Sequence, residues 1–285
     1  MNILSLVNAL PGAAAQGLIW GIMAIGVYLT FRILDVADLT VDGTMCTGGA
    51  VCVMMLMSGH NIWVSMLAAT GAGMLAGLAT GIFHTFMGIP AILAGILTQL
   101  GLYSANLKIM GKANQAVNGN KYNLLVSLRN VKGVPFYQNT ILIVAVFIVV
   151  LIAILYWFFG TELGCSLRST GCNPNMSRAH SSALLAQYQG FADVNMGRGA
   201  IVIGLAAVII GEAIFGRIFR NFALRLLSVA FGSILYYLVL QTVIWLGIDT
   251  DLLKMLSPLV VAVFLAVPYW KTKYFTKPTK RGGNN

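Results

Sequence analysis

Of 285 residues, 58% are hydrophobic and 9% charged, about a third of the charge of an average soluble domain, which excludes a water-soluble fold. The wealth of Leu, Ile, Val and Phe, with only four cysteines, also excludes a disordered or disulfide-stapled chain. The net charge of +10 reflects scarce acids, 8 against 18 basic residues, so it reads as membrane topology and implies no nucleic-acid partner.

A bilayer core needs roughly 20 apolar residues per helix, and the alternation of barrel strands is absent. In chain order the apolar runs are Ala14 to Phe31, Thr44 to Ser58, Ile62 to Phe83, Ile89 to Asn106, Ile141 to Phe159, Ala200 to Phe215, Leu226 to Gly247 and Leu252 to Trp270. Thr44 to Ser58 and Ala200 to Phe215 are marginal in length. Met1 to Gln16 carries no basic residue, so no secretory signal is expected and the first helix is retained. The expectation is an all-α polytopic membrane protein with about eight segments, residues 1–285 forming one transmembrane domain.

Lys271, Lys273, Lys277, Lys280 and Arg281 place the tail, 271–285, in the cytoplasm, either solvated or resting on anionic membrane lipid. Counting crossings backward, Leu252 to Trp270 runs inward and Leu226 to Gly247 outward, which leaves Arg217, Arg220 and Arg225 inside. Ala200 to Phe215 runs inward. Ile141 to Phe159 runs inward, Ile89 to Asn106 outward, Ile62 to Phe83 inward, Thr44 to Ser58 outward, and Ala14 to Phe31 inward, with Arg32 at its cytoplasmic end. The polar loop 160–182 is cytoplasmic, so the chain must cross outward between about His180 and Gly197. That stretch is short and holds Gln187, Gln189, Asp193 and Asn195, so one crossing is missing or broken.

Ala37-Asp38-Leu39-Thr40-Val41 recurs as Ala192-Asp193-Val194-Asn195-Met196. The first copy follows an inward helix and the second an outward segment, the signature of inverted repeats with broken helices, here about 14–107 and 183–270. Asp35, Asp38, Asp42, Asp193 and Glu212 fall within membrane depth, where a carboxylate is costly and lines a cavity or pairs. Asp38, Thr40 and Asp42 precede a short apolar helix, so they cap its free amides, line the substrate path, or do both. Gln187, Gln189, Asp193 and Asn195 form the corresponding candidate set in the second half.

Gly17 and Gly21, and Gly73, Gly77 and Gly81, recur every fourth residue and read as packing faces. The spacing of Cys46, Cys52, Cys165 and Cys172 suits neither zinc nor a redox pair, and His60, His84 and His180 are scattered, so no metal or other cofactor is expected. With no G-x-x-x-x-G-K-[ST] loop, any ATP that drives transport is bound by another polypeptide.

Several stretches together resemble a known family: Gly26-Val27-Tyr28-Leu29-Thr30-Phe31-Arg32 running into Ala37-Asp38-Leu39-Thr40-Val41-Asp42-Gly43; His84-Thr85 with Gly88-Ile89-Pro90-Ala91-Ile92-Leu93; Gln189-Gly190-Phe191-Ala192-Asp193-Val194-Asn195-Met196-Gly197; and Ile201 through Glu212. They look like the permease subunit of bacterial ABC importers, within the ribose and branched-chain amino-acid permease superfamily, and are most similar to the subgroup associated with tryptophan or tyrosine uptake. The resemblance implies a bacterial plasma-membrane pore that is not itself an enzyme. It also implies a second permease copy, a cytoplasmic ABC ATPase and an extracytoplasmic solute-binding lipoprotein. Leu167 to Ala179 resembles the family's coupling segment, which implies that Arg168, Gly171, Asn173, Met176 and Arg178 dock into the ATPase. Where the family continues after this segment through a full apolar helix, the chain passes from His180-Ser181-Ser182 directly to Ala183-Leu184-Leu185, so on the order of 20 residues are missing. A natural deletion, an engineered chain and a paralogue that no longer transports stay open, as does an ion-coupled secondary transporter or channel.

Overall fold

The computed structural model describes residues 3–33, 38–117, 122, 124–126, 139–162, 183–197, 199–216, 218–219 and 221–247. The described helices are α1 (Ile3–Tyr28), α2 (Val41–Met57), α3 (Ile62–Gly81), α4 (Ala91–Met110), α5 (Thr140–Gly160), α6 (183–189), α7 (Ala200–Phe215) and α8 (Phe222–Trp245). Single π-helical turns extend α1 over Leu29–Ile33 and α3 over Ile82–Phe86. Among the described residues, five helical stretches are long and apolar enough to cross a membrane: Ile3–Ile33, Ile62–Phe86, Ala91–Met110, Thr140–Gly160 and Phe222–Trp245. The chain is an all-α polytopic membrane protein. The two runs expected to be marginal are the two shorter apolar helices, α2 and α7. The expected span Leu252 to Trp270 and the basic tail lie outside the described residues.

Lipid offers backbone groups no partner, so apolar runs close their hydrogen bonds within helices, and polar residues mark the ends. Asn61 accepts from the Trp63 amide at 3.4 Å, and Asn139 from the Ile141 amide at 3.0 Å, so each caps the helix it precedes. Gly111, at φ 70°, ends α4. Inside the apolar helices, Thr30, Thr47, Thr70 and Thr98 return their hydroxyls to carbonyls of their own helices. The first helix starts at Ile3, eleven residues before the apolar run predicts, because Pro11 within it forfeits only the bond toward Val7.

α1 is the buried axis. Ile19, Met23, Ala24 and Ile25 have no solvent exposure, and α5, α7 and α8 pack around them. The seam with α8 runs antiparallel: a methyl group on Gly17 would lie 2.7 Å from the Ile234 Cα, and one on Gly21 would lie 3.2 Å from the Ala230 Cα. The Ser233 hydroxyl donates to the Gly17 carbonyl at 2.6 Å. α7 and α8 form an equally close hairpin, with Gly232 against the Ala207 carbonyl and Gly211 against the Ser228 carbonyl. Gly17 and Gly21 are thus packing residues as the spacing predicts, whereas Gly81 of α3 faces open space. The reason is that α3 and α5 turn apolar faces outward, Leu67, Leu75, Val149 and Trp157 among them. Such surface belongs against lipid.

One feature departs from an all-helical reading. β1 (Asn114–Ala116) pairs antiparallel with β2 (Phe191–Asp193), in the register Asn114↔Asp193, Gln115↔Ala192 and Ala116↔Phe191. This ribbon ties the loop after α4 to the second copy of the repeated motif.

Candidate functional site

Both copies of the repeated motif close the same hydrogen bond at their aspartate. Asp38 Oδ1 accepts from the Thr40 amide at 2.9 Å, and Asp193 Oδ1 accepts from the Asn195 amide at 2.7 Å. Each aspartate thus closes a turn on the residue two positions on, shortly before a short apolar helix. Thr40 occupies the N-cap position of α2, fully buried, and its hydroxyl donates back to Asp38 rather than capping the helix. Asp42 stands in the first turn of α2.

The turn of the second copy lies across the start of α2. The Cys46 thiol donates to the Val194 carbonyl at 2.8 Å. A methyl group on Gly49 would come within 2.8 Å of the Met196 sulfur. Gly197 sits directly on the Asp42 carbonyl, with no room for a side chain. Three residues later α7 begins, so the N-terminal ends of α2 and α7 meet.

From that junction the two helices run apart, and α1 marks the levels. α2 extends to Cys52, which accepts from Gln187 at 3.5 Å, beside Tyr188, whose hydroxyl donates to the Gly12 carbonyl at 3.1 Å. α7 runs the other way, parallel to α1: Gly204 abuts Val27, and Glu212 pairs with Arg32 at 3.3 Å. The first turns of α2 and α7 bring two positive helix ends to one place. Asp38, Asp42 and Asp193 set carboxylates there, where such ends favour negative charge.

Beside the junction lies a cavity of about 220 Å³ between α2 and α4. Asp42 and Cys46 line it from α2, and Gln99, Tyr103 and Asn106 from α4, with Val194 of the second motif against it. Asn106 is 1% exposed. Its side-chain amide donates to the Gly43 carbonyl at 3.4 Å, and its Oδ1 has no hydrogen-bond partner among the described residues.

Of the residues the sequence proposes for the path, Asp42 lines this cavity, and Asp38 and Thr40 lie directly before it on the chain. Asp193 lies on the ribbon, where its Oδ2 accepts from Asn114 at 3.4 Å, and Asn195 is exposed. Gln187 is elsewhere: 1% exposed, it accepts from the Leu125 amide at 3.3 Å and reaches Cys52, so it fastens α6 to α2. Gln189 is half-buried at the end of α6. Asp35 and the coupling residues Arg168, Gly171, Asn173, Met176 and Arg178 lie outside the described residues. Gln99, Tyr103 and Asn106 also line the cavity, although the motifs do not point to them. Their spacing of four and three places them on one face of a helix, the available signal.

The family described as the branched-chain amino acid transport system permease component matches residues 10–181. The tyrosine transport system permease protein of Clostridioides difficile is 34% identical over 272 residues, with 88% of each chain covered. An uncharacterised protein of Rickettsia prowazekii is 31% identical, covering 91% of this chain and 97% of its own. The fructose import permease protein of Bifidobacterium longum is 26% identical, covering 86% of this chain and 73% of its own. No solved structure gives a significant match. With its apolar spans and these relatives, the chain belongs to the family of branched-chain amino acid transport system permease components and is an integral membrane protein.

Proposed function

We propose that the chain forms the translocation path of an ABC importer for a small solute, with an aromatic amino acid as the best-supported substrate class. The observation that carries this reading is the meeting of α2 and α7. Two short helices starting at one point and running in opposite directions leave backbone and polar side chains at membrane depth, where transporters hold their cargo. The shared turn at Asp38 and Asp193 supports inverted repeats about 14–107 and 183–270. The name of the tyrosine permease relative supports an aromatic amino acid, and that of the fructose permease makes a sugar the competing cargo.

In this reading a cytoplasmic ABC ATPase supplies the energy, and an extracytoplasmic solute-binding lipoprotein delivers the cargo. A second permease copy completes the pore. The segment 167–179 docks into the ATPase, with Arg168 and Arg178 pairing with its acids and Gly171, Asn173 and Met176 allowing close approach. The basic tail 271–285 rests on anionic lipid.

Purification from native membranes, followed by reconstitution with the co-eluting subunits, tests the reading. ATP-dependent accumulation of labelled tyrosine or tryptophan supports it, with Arg178→Glu lowering uptake while ATP hydrolysis continues. Accumulation by the lone chain under a proton or sodium gradient, with no ATPase recovered, contradicts it and favours an ion-coupled transporter.

A further inference from the structure

We infer that the end of the molecule where α7 hands over to α8 is a binding surface for the phosphate headgroup of an anionic phospholipid, held by Arg225 and Arg32, with Ile214 and Ile218 against the acyl chains. Arg225 stands one residue before the apolar stretch from Leu226 to Trp245. At 1.5 Å per residue that stretch rises ~30 Å, the thickness of the hydrocarbon core. Arg225 therefore lies at the level of the headgroups. It is exposed, and its side chain reaches the Tyr28 hydroxyl of α1. One turn further along α1, Arg32 pairs with Glu212 of α7 at 3.3 Å and keeps a side chain 59% exposed. Three helix ends thus bring two guanidinium groups to one level of the membrane.

Apolar side chains mark the same end. Ile214 is exposed, and Ile218, four residues on, is 70% exposed. The turn that carries Ile218 is fastened: the amides of Ile218 and Phe219 donate to the Phe215 carbonyl at 2.9 Å, and the Phe219 ring stacks on Phe215 with centroids 5.4 Å apart. An isoleucine held in this way gains by meeting acyl chains, which a free phosphate ion does not supply. Residues 212–225 carry Arg217, Arg220 and Arg225 against Glu212 alone, and that balance favours an anionic headgroup over a zwitterionic one. A guanidinium has five N–H donors, more than one carboxylate or hydroxyl can use, so each arginine holds its protein partner and a phosphate oxygen at once.

Native mass spectrometry of the detergent-purified full chain, titrated with dioleoylphosphatidylglycerol or dioleoylphosphatidylcholine, tests the surface. The glycerol lipid is expected to bind at least tenfold more tightly than the choline lipid. Arg225→Gln lowers its affinity about fivefold, the effect of one arginine near an anionic surface. Ile218→Glu, at an exposed position whose side chain the fold does not need, brings the two lipids to equal affinity. Replacing Lys271, Lys273 and Lys277 by glutamine leaves the preference unchanged, which separates this surface from the basic tail. Equal affinity for the two lipids in the unaltered chain overturns the proposal, as does a preference that survives Ile218→Glu or is lost with the tail lysines. A surviving preference in an Ile218→Glu chain that no longer co-purifies with an ATPase assigns this end to a protein partner instead.

Discussion

Gly197 rests on the backbone carbonyl of Asp42, so close that a β-carbon at position 197 would overlap the carbonyl oxygen. The contact joins the two copies of the repeated motif, and it holds the start of α7 against the start of α2. Only a residue without a side chain permits this approach.

Gly197→Ala is therefore expected to lose about 1–3 kcal/mol, the usual cost of forcing a methyl group into a filled site. The loss is read as a lower melting midpoint of the detergent-solubilised protein and as reduced uptake. Gly101→Ala, in α4 and facing open space, is the control and stays at wild-type stability. Equal midpoints for the two variants would mean that the helix starts do not touch.

The seam of α1 with α8 and the α7–α8 hairpin give a second contrast. Gly17→Leu and Gly232→Ala meet backbone atoms, whereas Gly81→Ala meets nothing. The first two are expected to reduce the amount of folded protein in the membrane several-fold, and the third to leave it unchanged. Immunoblots of washed membranes and size-exclusion profiles check this.

Asp38→Asn and Asp193→Asn keep the Oδ1 acceptor that closes each turn, so membrane abundance is expected to hold while loss of charge lowers uptake. Asp38→Ala and Asp193→Ala remove the acceptor as well, at about 0.5–2 kcal/mol each, the range for lost capping bonds. Uptake at the wild-type rate in both asparagine variants would remove the two carboxylates from the transport path.

Arg32 and Glu212 pair at 3.3 Å, with side chains 59% and 32% exposed. A pair that open contributes about 0.2–1 kcal/mol to stability, so its consequence is sought in transport. Arg32→Glu is expected to lower uptake with little change in melting midpoint, and Arg32→Glu with Glu212→Arg to recover it. Failure of the exchange to recover any uptake would show that the residues act separately.

Much of the architecture is legible in the apolar runs, because lipid demands long uninterrupted helices. Ala200 to Phe215 has the bounds of α7, and Ile141 to Phe159 differs from α5 by one residue at each end. The repeated aspartate marks two turns closed by the same hydrogen bond. The β1–β2 ribbon escapes notice because three-residue strands are too short to show a period. Gln187 reads as path-lining because a glutamine within a broken crossing attracts that role, but burial sets it between α6, α2 and Leu125. Asn106 is passed over for the opposite reason: one polar residue near the end of an apolar run looks like an interfacial end, and only α2 packed against α4 reveals its unused oxygen.

Cross-linking between the helix starts tests the shared junction most directly. Cys46 lies against the Val194 carbonyl, so Val194→Cys, with the other three cysteines replaced by serine and a protease site inserted between residues 127 and 138, places two thiols side by side. Oxidation in native membranes followed by cleavage is expected to leave the halves joined on a non-reducing gel and separate on a reducing one. Halves that separate without reductant, although both thiols react with maleimide, would contradict the meeting of α2 and α7.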